Sequence, residues 1–288
     1  MQIKIHHEIL YSYQVPVVLD PQVLRFYPRA GGGVLVTRFN LDIHPSPDGY
    51  YQGLDIEGNI IHEVYFSKHI EKLDIKADTM LDIVDKSPFS FIIYPFEANN
   101  ISSIYTEEEK ILLASYKKIL TTDQDIKKHV AQTIKKSSGQ VMPFIVSTAV
   151  WVQRNLKQVR REEGTPLSPE KTFRGREGAC RDLAVLLMAM YREAGLAARF
   201  VSGYCFDEQH EGIFELHAWT EVYIPNGGWV GFDPTSGLAV TNRYVVVAAS
   251  AVPERTVPVS GNFWGRCDAK MYYNIVLKSE SAEPHRIS

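Results

Sequence analysis

Three residues able to act as nucleophile, base and orienting acid stand in order in the second half of the chain: Cys180, His217 and Asp233. Cys180 lies in GREGACRDLAVLLMAMYREAGLAARFVSGY, at the point where a helix should begin. It stands behind the small residues Gly178 and Ala179 and ahead of a run almost free of polar residues until Arg192. A thiol is a nucleophile only as thiolate, and its ordinary pKa of about 8.5 falls at a helix N-terminus, where unpaired N–H groups and the macrodipole favour negative charge. LAVLLMAM is apolar all round, which predicts a buried, rigid helix behind the sulfur. Gly178 and Ala179 are small enough to let a substrate backbone come close.

A thiolate needs a partner that takes its proton and later returns it to a leaving group, and an imidazole suits that task. His217 sits in ELHAWTEVYI, a strand pattern that puts His217, Trp219 and Glu221 on one face. Asp233, in WVGFDPT, can orient the second ring nitrogen. The two strands flank PNGG, a hairpin signal. A turn centred between Asn226 and Gly227 places Asp233 opposite Thr220, roughly 10 Å from the position facing His217. Direct contact then requires a turn centred nearer Pro225, or a bulge.

Each residue also has a plain structural reading. A cysteine at a helix start is commonly a small buried hydrophobe, and Asp233-Pro234 can simply open a turn. Asp182, in the first helical turn, favours the helix dipole, and Trp219 reads as packing. Cys205 and Cys267 stand in apolar or aromatic strand-like contexts and read as structural.

The elements around these residues fall into two parts, as 288 residues allow when a domain takes about 100–200. Through residue 100 the pattern is period two: IKIHHEILYSY places Ile3, Ile5, Ile9, Tyr11 and Tyr13 on one face, and FNLDI and LDIKA repeat it. GGG at 31–33, SPDG at 46–49 and EGN at 57–59 supply turns. An antiparallel β domain, sandwich or barrel, is expected over 1–100. Then Thr106 and Glu109 form a capping box opening a helix through ILLASYKKIL. Ile126, Val130 and Ile134 mark a second helix, and PFIVSTAVWVQRNLKQV a third, with Pro143 in its first turn. The core, 101–250, therefore reads as α+β, helices followed by antiparallel strands. A C-terminal extension, 251–288, carries one more strand in MYYNIVLKS, whose pairing partner is open and could lie in the first domain.

At this point the sequence resembles the transglutaminase-like superfamily. GACRDLAVLL, LHAWTEVYI and GFDPTSG stand where that family carries the cysteine, histidine and aspartate of its triad, here Cys180, His217 and Asp233. IHHEILYSYQVPVVLDPQVLRFYPR, EGNIIHEVYF and SPFSFIIYPFE are similar to the N-terminal β region of bacterial members, and RYVVVAASAVPERTVPVSGNFWG to the segment that follows their core. The resemblance implies a papain-like core with the nucleophile at a helix N-terminus packed on an antiparallel sheet. It also implies a thiol enzyme acting on amide or peptide bonds through a thioester. Members are described as candidate cysteine proteases, and transfer to an amine or a non-enzymatic binding scaffold are the alternatives. A protein or peptide substrate is the implied partner.

Composition narrows the remaining classes. A net charge of −3 with dispersed basic residues argues against a nucleic-acid partner. The basic cluster in LKQVRREEG meets Glu162 and Glu163 at once and reads as a solvated helix end. No window nears the roughly 18 apolar residues of a membrane span, and the start lacks a secretory leader, so a soluble chain beginning at Met1 is expected, without a membrane partner. Three scattered cysteines fit a reducing compartment, the cytoplasm. No close-spaced zinc pair and no spaced acidic loop for calcium occurs, so neither metal nor other cofactor is expected.

Overall fold

The computed structural model describes residues 1–31, 33–85, 87–161, 164–206 and 212–280. The opening strand, Gln2–Leu19, follows its period-two pattern: Ile3, Ile5 and Ile9 are buried, with His7 on the same face, and Tyr11 and Tyr13 half-buried. It pairs antiparallel with Ile70–Ile83 on one side and with Ala269–Glu280 on the other, and Val34–His44 lies outside Ile70–Ile83. The final strand thus returns to the first sheet, and Gly212–Phe214 pairs along its other side. A second sheet joins Gln22–Leu24, Gly49–Leu54, Ile60–Tyr65 and Val259–Ser260. The turns at 46–49 and 57–59 connect its strands and neighbours as their residue types require. Ile9, Val17 and Ile75 of the first sheet share one buried cluster with Leu24 and Val64 of the second, the packing of a sandwich.

Thr106 does form a capping box with Glu109, but the helix it opens spans only Glu107–Leu112. Leu113, with ψ near 7°, bends the chain so that it alone enters the core, while Ile111 and Leu112 remain at the surface. A 3-10 turn, Ala114–Lys117, follows in place of the longer helix. Helix Gln124–Lys136 is capped by Asp123 and buries Ile126 and Val130. Helix Val141–Asn155 has Pro143 in its first turn and ends before the basic cluster. Lys157–Gln158 is instead a short strand parallel to Glu177–Gly178. The cluster is therefore no helix end: Arg160 pairs with Glu215 and Arg161 with Asp182, and Glu162 and Glu163 lie outside the described residues.

The cysteine helix, Cys180–Glu193, is buried from Asp182 through Arg192, as an apolar circumference demands. It packs on a five-stranded antiparallel sheet ordered Leu238–Ala239, Gly228–Asp233, His217–Ile224, Ala198–Cys205, Tyr244–Ser250. Phe200, Ala218, Val222, Val230 and Phe232 enter the common core with Leu183, Leu186, Leu187 and Met190.

The β region grips this core through apolar and polar contacts together. Ile3, Ile5, Leu81 and Ile83 pack with Tyr204, Phe206, Val245 and Val247. The fully buried amide of Asn59 acts like a strand residue, donating to the Ala249 carbonyl (3.0 Å) and accepting from the Ala249 N–H (2.9 Å). Buried polar groups at the junction are thereby satisfied rather than stranded.

Candidate active site

Cys180 is the first residue of its helix, behind an extended Ala179 (φ −70°, ψ 167°), so its N–H has no intrahelical acceptor. The side chain is half-buried. Asp182 does more than complement the dipole. Its fully buried carboxylate accepts from the Ala179 N–H (2.9 Å), the Leu167 N–H (2.8 Å) and Arg161 Nη2 (2.6 Å), tying Arg161 and Leu167 to the helix start. Gly178 serves this clamp and not a substrate: a Cβ there would lie 2.8 Å from Asp182 Cβ and 3.2 Å from Thr172 Cγ2. Both Gly178 and Ala179 are buried against the protein itself, so the expected opening for a substrate backbone is not theirs to provide.

His217 begins its strand with 16% of its side chain exposed, and its Nε2 lies 2.8 Å from Asp233 Oδ2. The ring also lies close enough to Cys180 for the sulfur to raise the pKa of the imidazole. With Nε2 on the carboxylate, Nδ1 is the nitrogen left for sulfur. Three residues along, Thr220 Oγ1 donates to the Ala184 carbonyl of the cysteine helix (2.8 Å), which fixes the histidine strand against the helix carrying the thiol. Trp219 is fully buried, its ring centroid 6.3 Å from that of His217, a packing contact as its residue type suggests.

Burial alone would depress the His217 pKa, but the hydrogen bonds and negative charge of Asp233 and Cys180 outweigh it and hold the imidazole well above its ordinary 6.5. Burial would likewise raise Asp233; its bonds to His217 and Thr235 prevail and keep it below the ordinary carboxylate value.

The hairpin solves the register problem without a bulge. Ile224 faces Gly228 and Thr220 faces Phe232, so the turn is centred on Asn226, which has a positive φ of 62°. Continuing that ladder sets Asp233 opposite Trp219, on the same face as His217 and diagonal to it, within reach of a long side chain. The two carboxylate oxygens then divide their work. Oδ1 accepts from the Thr235 N–H (2.8 Å) and Thr235 Oγ1 (2.7 Å), an Asx turn. Oδ2 accepts from His217 and from the hydroxyl of Tyr244 (2.8 Å). The turn reading and the site reading of Asp233 both describe it.

The structure thus brings Cys180, His217 and Asp233 together and adds Thr235 and Tyr244, which sequence reasoning passed over. Tyr244 faces Cys205 across adjacent strands and is raised in pKa by it, so that cysteine stands at the edge of the site. An ion pair between Arg160 and Glu215 (2.6 Å) joins the residues after the Lys157–Gln158 strand to those just before His217. Among the described residues no cluster of metal-ligating side chains occurs, and no helix is long and apolar enough to cross a membrane.

Residues 128–234, which include all three site residues, match the transglutaminase-like superfamily, and residues 3–82 match the bacterial transglutaminase-like N-terminal region. The chain belongs to the transglutaminase-like superfamily. A solved structure from Cytophaga hutchinsonii, described as that of a candidate cysteine protease, superposes with a TM-score of 0.72 at 18% identity over 99% of this chain and 93% of its own, so the two share this α+β fold. Among curated relatives, the Mycobacterium leprae protein ML0607 is 21% identical over 92% of this chain and 94% of its own length. A protein-glutamine gamma-glutamyltransferase of Pseudomonas aeruginosa is 35% identical over 74 residues, 23% of this chain and 11% of that one. Members of the superfamily are typically enzymes, cysteine proteases or transglutaminases.

Proposed function

We propose that this transglutaminase-like protein is a thiol enzyme that opens amide or peptide bonds through a thioester. The observation that carries this reading is the His217 imidazole, hydrogen-bonded to Asp233 and raised in pKa by both Asp233 and Cys180, the thiol at the N-terminus of a buried helix. With the imidazole held protonated, sulfur attacks the amide carbonyl carbon as thiolate, and the N–H of Cys180 faces the developing oxyanion. The C–N bond breaks as His217 passes its proton to the departing nitrogen, leaving a thioester. Water, deprotonated by His217, then attacks that carbonyl; the C–S bond breaks, releasing a carboxylic acid and restoring the thiolate and the protonated imidazole. Asp233 holds the ring orientation and stabilises its cation throughout.

An amine in place of water would yield a new amide by the same steps. Hydrolysis ranks ahead because water is always present, while transfer requires that it be excluded. A protein or peptide is the substrate class, in a chain acting without metal or cofactor in the cytoplasm. The test is a panel of glutamine-containing peptides and peptide donors, with and without a primary diamine, assayed for ammonia, cleavage and amine incorporation in wild type and Cys180→Ala. Product that disappears in the variant supports the reading and separates hydrolase from transferase. Silence throughout the panel would favour a binding scaffold.

A further inference from the structure

We infer that Tyr244 is a positioning residue of this site, setting the strength with which Asp233 holds the His217 imidazolium and so the pH range over which Cys180 is active. The inference rests on the thiol chemistry proposed above and extends it to a residue outside the triad.

Tyr244 opens the strand Tyr244–Ser250, where it pairs with Cys205 of the neighbouring strand. Its hydroxyl donates to Asp233 Oδ2 at 2.8 Å, the same oxygen that His217 Nε2 contacts at 2.8 Å. A phenol has one proton. Since a carboxylate can only accept, that proton is committed to Asp233. Burial first, then the charge of Asp233 and of Cys205, push the phenol far above its ordinary pKa, so it stays a donor across the accessible range. The ring is fixed by an edge contact with Trp219 at 5.3 Å and lies 6.0 Å from the ring of His217.

Two acceptances on one oxygen compete. A donor on Oδ2 withdraws charge from the carboxylate and weakens its hold on the imidazolium, so removing the donor strengthens that hold and raises the His217 pKa. The carboxylate does not swing away when the phenol is lost, because Oδ1 remains bound by Thr235 N–H and Oγ1. The ionisable groups acting on the imidazole are Cys180 from the helix and Asp233 from the adjacent strand; those acting on the phenol are Asp233 and Cys205. The Arg160–Glu215 ion pair is common to every variant compared.

The experiment reads Cys180 alkylation by iodoacetamide against pH, by peptide mass mapping, together with the NMR titration of His217 in wild type and Tyr244→Phe. Phenylalanine retains the ring packing and removes the donor. The expected result is an upward move of the upper inflection of the alkylation profile, where His217 loses its proton, and of the His217 titration itself, by roughly half to one pH unit. A merely structural role would lower stability and leave both where they are. An unchanged or lowered His217 titration in the folded variant overturns the inference. If the wild type shows no enhanced alkylation at low pH, the thiol chemistry fails, while the His217 titration still reports independently on Tyr244. Should Tyr244→Phe not fold, 3-fluorotyrosine placed at position 244, a more acidic phenol of nearly the same shape and so a stronger donor to Asp233, is expected to lower the His217 titration, and no movement would overturn the inference.

Discussion

The site depends on how one carboxylate is shared. Asp233 spends one oxygen on its own turn and the other on His217 and Tyr244, so a change there touches both the fold of 233–237 and the imidazole. Asp233→Asn retains the shape and loses the charge, and the His217 pKa should fall to or below its ordinary value. Product formation should drop by about 10²–10⁴-fold, the range seen when an orienting carboxylate is neutralised in such triads. Steady-state assay and NMR titration on the same variant check both halves. The ion pair also gives stability a pH dependence. His217 is raised in the folded state, so its contribution is fully present below the unfolded pKa of about 6.5 and lost as pH rises through the folded value. Asp233 is lowered, so its share is present above its unfolded pKa and lost on acidification. Denaturant midpoints should therefore decline on the alkaline side, and less so in His217→Ala.

At the scale of elements, the helix start and the hairpin decide whether these side chains meet. The helix was legible because small residues precede Cys180 and an apolar circumference follows it. Strand and turn were legible from alternation around PNGG. The register was not, because a single residue of uncertainty in the turn centre changes which face Asp233 takes, and only the pairing of Ile224 with Gly228 settles it. Tyr244 was invisible for another reason: an aromatic with a polar tip leading an aliphatic strand carries no mark of the residue opposite it. Nor could sequence show that Asp182 holds Arg161 and Leu167, since both lie well upstream. Asp182→Ala would leave Arg161 and two backbone N–H groups without their acceptor at a buried position, and should cost about 3–5 kcal/mol. Chemical denaturation measures this. Gly203→Ala is expected to be as damaging, for its Cβ would lie 2.0 Å from the Val245 carbonyl oxygen and 2.8 Å from the Trp219 ring.

Over the whole molecule, the two regions are interlaced. The opening strand lies between Ile70–Ile83 and a partner from the far end of the chain, Ala269–Glu280. The alternation of MYYNIVLKS announced a strand, but long-range pairing leaves no local trace, and only the fold shows where it goes. Ending the chain at residue 268 should expose one edge of the central strand and unfold the first sheet, seen as lost β signal in circular dichroism and rapid proteolysis. The interface carries its own titration. Burial first, and then neighbouring His6, depress His7 to about 3, and its Nδ1 pairs with the Tyr204 hydroxyl at 2.8 Å. An unfolded histidine takes up its proton near 6.5, so folding is opposed increasingly as pH falls from there toward about 3. His7→Asn should flatten that acid limb in urea titrations between pH 6.5 and 4.

The central claim is that Cys180 is activated by His217, and the measurement that tests it most directly is the alkylation rate of each cysteine against pH. Peptide mass mapping would resolve Cys180, Cys205 and Cys267 in the native protein and in His217→Ala. The account predicts that Cys180 alone reacts rapidly below neutral pH and that its advantage vanishes in the variant. A Cys180 no faster than Cys205 and Cys267 at every pH, or one indifferent to His217, would contradict it.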